Sequence, residues 1–227
     1  MLKSQSLTVV VDALPGIGAF RLGAFTLKHH QEYPDAPLSP FYIDLRMIQS
    51  FPDLLEETAR VYGEIIRERE LDFRRLVPVP TAAVPIASVM SVQLRKPMIS
   101  PRLDAKTHGL VRGIDGVFEP GDVVLVVDDL VTTARSKLEV IEVLTANELT
   151  VWDVLVLLDR EQGGWEELAA AGFNLHAAIG IRELLAHYVE KRRITTLAHH
   201  ICKVYLGGGL SKGWEAEVEE GWDQIAA

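Results

Sequence analysis

The chain has 227 residues, 48% hydrophobic and 24% charged, the range of a folded soluble domain, which excludes an extended disordered chain or a collagen-like repeat. Twenty-three Lys and Arg against 32 Asp and Glu leave a formal charge of −9, so no broad nucleic-acid surface is expected, since that needs basic residues massed on one face. The lone Cys202 forbids an internal disulfide and fits a reducing, cytoplasmic setting; the longest apolar runs, Val123 to Val127 and Val154 to Leu158, are five residues each against the roughly 20 that span a bilayer.

From residue 50 onward the hydrophobic period is informative. Ser50 can cap a helix in which Phe51, Leu54, Leu55, Thr58, Tyr62, Ile65 and Ile66 recur at helical spacing, with charges from Arg67 to Glu70 closing it. Leu76 to Val79 predicts a short buried strand, Ala82 to Leu94 a helix and Pro97 to Ile99 an extended piece. Arg102 to Gly113 is polar, has neither period, and predicts an exposed mobile loop. Then come a β-branched run at Val123 to Val127, a helix over Lys137 to Leu144, a strand over Val151 to Leu158, a short helix over Trp165 to Ala171, a strand over Phe173 to Ile179 and a helix over Arg182 to Arg193. Strands alternating with helices imply right-handed crossovers, hence an α/β fold with a mostly parallel sheet flanked by helices. In such sheets ligands bind outside the carboxyl ends of the strands. The tail from Gly207 to Ala227 reads as a linker followed by a terminal docking helix.

The strongest local signal runs from Val124 to Ser136: Val-Leu-Val-Val-Asp-Asp-Leu-Val-Thr-Thr-Ala-Arg-Ser. A strand delivers two carboxylates to its end, and a hydroxyl-rich turn then opens a helix. Backbone N–H groups at a helix start, with the hydroxyls of Thr132, Thr133 and Ser136, suit a phosphate monoester, and Asp128 and Asp129 suit the hydroxyls of an attached sugar. The aspartates can equally be plain helix caps.

This segment resembles the phosphoribosyl pyrophosphate motif of type I phosphoribosyltransferases. Gly23-Ala24-Phe25-Thr26-Leu27-Lys28, the run from Ser39 to Arg46, the run from Arg102 to Gly109, and the turn from Leu158 to Gly164 resemble, in order, further motifs of the orotate phosphoribosyltransferase family. That resemblance implies a type I phosphoribosyltransferase-like domain over 1–227, with hood elements from 1–50, a core over 51–195 carrying a mobile catalytic loop, and an extension over 196–227. It implies magnesium-dependent transfer of phosphoribose from phosphoribosyl pyrophosphate to orotate, giving orotidine 5′-monophosphate and pyrophosphate, in a homodimer whose loops reach the neighbouring site.

Carried over residue by residue, the resemblance gives catalytic roles to Lys106, His108, Asp128 and Asp129. Phosphoribosyl pyrophosphate would be bound by Lys28, Thr81, Ala82, Arg102, Lys106, His108, the aspartate pair, and the turn Leu130, Val131, Thr132, Thr133, Ala134, Arg135 and Ser136. Orotate would meet Lys28, Tyr42, Ile43, Thr132 and Arg160, the guanidinium reading the polar edge of a planar anion. Magnesium would be held by the substrate and water without a direct protein ligand. From Arg95 to Arg112 there are five Lys or Arg and one Asp, a positive segment that fits pyrophosphate or is simply a solvated loop. Arg160 could alternatively pair at the surface with Glu161 or Asp159.

Four departures from the family pattern stand out. Ala134 replaces glycine in the phosphate turn, where a Cβ would crowd a phosphate and strain a left-handed backbone. Leu103 stands where a lysine is expected, and Pro78 to Pro85 has lost its glycine and tyrosine, leaving Thr81 and Ala82. The segment 29–38 is longer than usual and borders the expected base pocket, with His29 and His30 reading as exposed loop histidines. His199, His200 and Cys202 lack a fourth ligand for zinc at suitable spacing. These departures leave open a binding or regulatory protein with little chemistry, or a transferase with a different acceptor base.

Overall fold

A computed structural model describes residues 2, 4–31, 33–102, 113–218 and 220–225. In chain order, α1 (Gln5–Ala13) leads into β1 (Phe20–Phe25) and β2 (Ser39–Ile43), then α2 (Pro52–Glu68), β3 (Arg75–Pro78), α3 (Val84–Leu94), β4 (Ser100–Pro101), β5 (Ile114–Asp115) and β6 (Val123–Val131). The second half follows as α4 (Arg135–Ala146), β7 (Thr150–Asp159), α5 (Gly164–Ala170), β8 (Asn174–Gly180), α6 (Ile181–Glu190) and α7 (Thr196–Leu206).

The central sheet has the order β3-β6-β7-β8 with every pairing parallel. Pro97 to Ile99 runs along the outer edge of β3: the Leu76 N–H donates to the Pro97 carbonyl at 2.9 Å and the Ile99 N–H to the Leu76 carbonyl at 3.0 Å. The continuous apolar runs reflect burial on both faces. Val77, Val124, Val126, Val154 and Val156 pack in one cluster with Val140, Ile141 and Leu144 of α4 and Leu168 of α5. Their alternates Leu76, Leu125, Val127, Leu155 and Leu157 pack in the other with α1, α2, α3, α6, α7 and the β1–β2 hairpin. No helix among the described residues is long and apolar enough to cross a membrane.

Several expectations shift. Strand β6 continues through Val131, so the aspartate pair lies within the strand rather than after it. Ser50 does not cap α2; it ends a 3-10 turn, Leu45–Ser50, and α2 starts at Pro52, whose fixed φ suits a first turn. Helices α1 and α7, neither predicted, begin at side-chain caps: Ser4 accepts from the Leu7 N–H at 2.9 Å and Thr195 from the Ala198 N–H at 3.0 Å. His30 is buried, its ring bonded to Leu27 and Pro37, not an exposed loop histidine.

The described part of the tail docks without an α-helix, through turns and a 3-10 segment, Trp214–Ala216. Trp214 is buried, stacks edge-on with Trp222 at 5.0 Å, and donates its indole N–H to the Leu38 carbonyl at 2.9 Å. Lys212 pairs with Asp35 at 2.5 Å. The long segment after Lys28 and the tail after Gly207 therefore close on one another, beside the start of β2.

Candidate active site

Strand β6 enters the sheet centre and emerges carrying Asp128 and Asp129. Asp128 is buried and forms an ion pair with Lys137 of α4 at 2.6 Å, with both side chains almost sealed from solvent. Its other oxygen accepts the Asp129 N–H at 2.9 Å. Lys137 also donates to the Leu130 carbonyl at 2.6 Å, and the fully buried Tyr62 hydroxyl donates to the Asp128 carbonyl at 2.7 Å. Both Asp128 oxygens are thus engaged, whereas Asp129 is partly exposed at the strand end. Burial, then the adjacent Asp128 charge, raise the Asp129 carboxyl well above the ordinary carboxylate range; the Leu130 N–H, donating at 2.7 Å, opposes this.

The shift has a consequence for stability. Between the ordinary carboxylate range and the raised value, the folded protein binds more protons than the unfolded chain, so acidification through that window stabilises the fold. The melting temperature, followed from pH 7.5 down to about pH 5.5, should rise in the parent and be flatter in Asp129→Asn. Parallel profiles would refute the assignment.

After Val131 the chain turns through Thr132 and Thr133 to Ala134, which precedes α4. Ala134 has φ −78° and ψ −7°, a right-handed conformation, and its methyl group is buried among Val77, Val79, Val126 and Val131. The strain expected of a non-glycine residue does not arise here, because the backbone never enters the left-handed region. Thr133 and Arg135 are exposed; Thr132 and Ser136 are partly so.

The neighbouring turn explains two glycines. Gly163 has φ +99°, and a Cβ on Gly164 would lie 2.4 Å from Val131 Cγ2 and 3.0 Å from the Thr132 carbonyl. The Gly164 N–H donates to that carbonyl at 3.1 Å, so the turn after β7 braces the turn after β6.

Arg160, between them, is buried, 7% exposed, and its guanidinium lies 5.1 Å from the centroid of the Phe41 ring. Its Nε and Nη2 have no hydrogen-bond partner among the described residues. Glu161 pairs instead with Arg182 at 3.0 Å, and Asp159 accepts the Glu161 N–H at 2.7 Å, so the surface-pair alternative for Arg160 is not what forms. Burial lowers the Arg160 pKa and raises that of Asp159. A buried guanidinium with unpartnered donors carries an uncompensated charge that an anion beside it would satisfy. Phe41, edge-on to Tyr205 at 5.9 Å, is a wall residue that the sequence reading missed; it sits beside Tyr42 in the Ser39 to Arg46 motif. Tyr42 meets Phe25 and Arg21, and Ile43 is buried.

Thr81 and Ala82 follow β3, whose end is fastened to β6 by the Val79 N–H donating to the Val127 carbonyl at 2.8 Å. Arg102 is exposed and pairs with Asp115 at 3.5 Å, where β4 and β5 bracket the segment 103–112. Leu103, Lys106 and His108 lie outside the described residues, as does the expectation of a mobile loop there. Lys28 opens a 3-10 turn, Lys28–Gln31, and its side chain lies outside what the structure describes. Among the described residues no three His, Cys, Asp or Glu side chains converge as metal ligands.

The chain is 36% identical over 181 residues to an orotate phosphoribosyltransferase of Caenorhabditis elegans, covering 80% of this chain and 77% of that one. It belongs to the orotate phosphoribosyltransferase family. The family likeness extends to an orotate phosphoribosyltransferase of Pyrobaculum aerophilum, 36% identical over 78% of this chain and 88% of the relative. It also includes a uridine 5′-monophosphate synthase of Bos taurus, 35% identical over 82% of this chain, of whose length the match covers 37%. Among solved structures, the Leishmania donovani UMP synthase superposes with a TM-score of 0.79 at 34% identity, over 90% of this chain and 43% of that one. No family model matches. The aspartate pair, the turn after β6 and Arg160 are carried by adjacent parallel strands, β6 and β7, at their carboxyl ends.

Proposed function

We propose that this chain transfers phosphoribose from phosphoribosyl pyrophosphate to orotate, giving orotidine 5′-monophosphate and pyrophosphate in pyrimidine biosynthesis. The observation that carries it is Arg160, a buried guanidinium with open donors on an aromatic wall, one strand away from the carboxylates and the phosphate turn. An orotate ring nitrogen, its proton released to solvent, bonds to the anomeric carbon as the carbon–oxygen bond to pyrophosphate breaks, so positive charge develops on the sugar and negative charge on the leaving group. Asp129 faces the sugar hydroxyls and is ionised more readily beside a developing cation; Asp128, clamped by Lys137, fixes the strand end. Thr132, Thr133, Ser136 and the backbone around Ala134 and Arg135 receive the 5′-phosphate.

Lys28, Thr81, Ala82 and Arg102, with Lys106 and His108 from segment 103–112, are assigned to phosphoribosyl pyrophosphate, and Lys28, Tyr42, Ile43 and Thr132 join Arg160 at the base. Magnesium is assigned to substrate oxygens and water, without a direct protein ligand. Bound there, magnesium would neutralise the departing pyrophosphate. We assign the protein to the cytoplasm, which the buried, unpaired Cys202 supports, and to a homodimer by resemblance.

The right-handed Ala134 removes one motive for a purely regulatory protein. Purified protein with phosphoribosyl pyrophosphate and magnesium should consume orotate, measured by its absorbance, and leave uracil and hypoxanthine intact. Turnover of either control in place of orotate would change the acceptor; no turnover of any would reject the reaction.

A further inference from the structure

The phosphate turn already holds an anion, supplied by the chain itself. The Ala134 N–H, at the start of the 12-residue helix α4, donates to Glu167 Oε2 at 2.7 Å. Glu167 sits in the first turn of α5, where a carboxylate would ordinarily serve its own helix, yet it reaches across to the neighbouring one. The reach is set by the backbone: Gly164 is pressed against Val131 and Thr132, fixing the start of α5 beside the turn. The Glu167 side chain is exposed, so it can swing into solvent without leaving a cavity.

We propose that Glu167 is a placeholder for the 5′-phosphate, occupying an amide of the phosphate seat until phosphoribosyl pyrophosphate displaces it. The inference rests on the reading of this turn as the phosphate site. A carboxylate is monovalent with two oxygens; a phosphate monoester brings up to two charges and three oxygens, and so wins the amides at a helix start. While the seat is empty, the carboxylate keeps the Ala134 N–H satisfied and the turn in its receiving shape. The cost is a threshold: every phosphate ligand must first displace Glu167 and then bind near the charge it has expelled.

Glu167→Ala removes the placeholder, and Glu167→Gln keeps its shape without the charge. In Glu167→Ala, the dissociation constant for ribose 5-phosphate, by calorimetry, and the KM for phosphoribosyl pyrophosphate should both fall about tenfold, the scale of one charge-assisted hydrogen bond from an exposed side chain. Glu167→Gln should fall between, and the KM for orotate should move much less, a split that general loosening of the fold would not produce. An unchanged or raised KM for phosphoribosyl pyrophosphate in both variants would overturn the proposal; should the alanine variant fold poorly, the glutamine variant decides. A parent that turns over orotate while the variants do not respond removes only the placeholder. A parent that neither binds ribose 5-phosphate nor turns over orotate removes the phosphate site, and the proposal with it.

Discussion

Arg160→Met should lower kcat/KM for orotate by about 10²- to 10³-fold, because two charged hydrogen bonds to the base are lost at about 1.5 to 3 kcal/mol each, incompletely additive. The same change should not cost stability. Arg160 Nε and Nη2 are buried without a partner among the described residues, and burial already weighs against the charged form. Methionine keeps an apolar stem against Phe41 and discards the desolvated charge. The expected signature is opposed: activity collapses while the melting temperature holds or rises. A variant that keeps near-parent kcat/KM, or one that melts much lower, would show that the guanidinium is structural.

Lys137→Met should show the reverse emphasis. It leaves Asp128 as an uncompensated charge in a sealed site and orphans the Leu130 carbonyl. Breaking one side of such a pair costs about 3 to 5 kcal/mol, which lowers the melting temperature by about 10 °C in a chain of this size. Removing both charges restores most of it, so Lys137→Met with Asp128→Leu should melt closer to the parent than Lys137→Met alone. Thermal unfolding of the two variants measures this; equal losses would mean that the pair does not clamp the strand end.

Strands β3, β6 and β7 were legible because the sheet buries most of their length on both faces, which leaves apolar runs such as Val123 to Val127. The aspartate pair and the glycine turn were legible as motifs, and the structure adds what each does: one carboxylate is clamped and the other is available, one glycine serves φ and the other close packing. Lys137 was not legible as a partner of Asp128, because a lysine at a helix start reads as solvated and only the crossover brings it against the strand. Glu167 was not legible as a partner of the Ala134 N–H, because its helix meets that turn only in the folded sheet. Phe41 was hidden by its neighbour: Tyr42 carries the motif, but pleating turns the adjacent ring towards Arg160. The tail resisted reading because its docking surface is assembled by residues from the other end of the chain, with no local period to betray it.

Those two ends are far apart in sequence. The Lys212–Asp35 and Trp214–Leu38 contacts join positions 177 and 176 residues apart, so a large loop-closure entropy opposes them in an otherwise unfolded chain. Within the clasp the ion pair, 64% and 92% exposed, contributes little, and the buried Trp214 and Trp222 rings provide the hold. The fastening beside β2 is therefore apolar at its centre, with a solvated ion pair at its rim. Cutting the chain ahead of Trp214 would accordingly uncover apolar core surface beside β2 and not merely release a solvated strap.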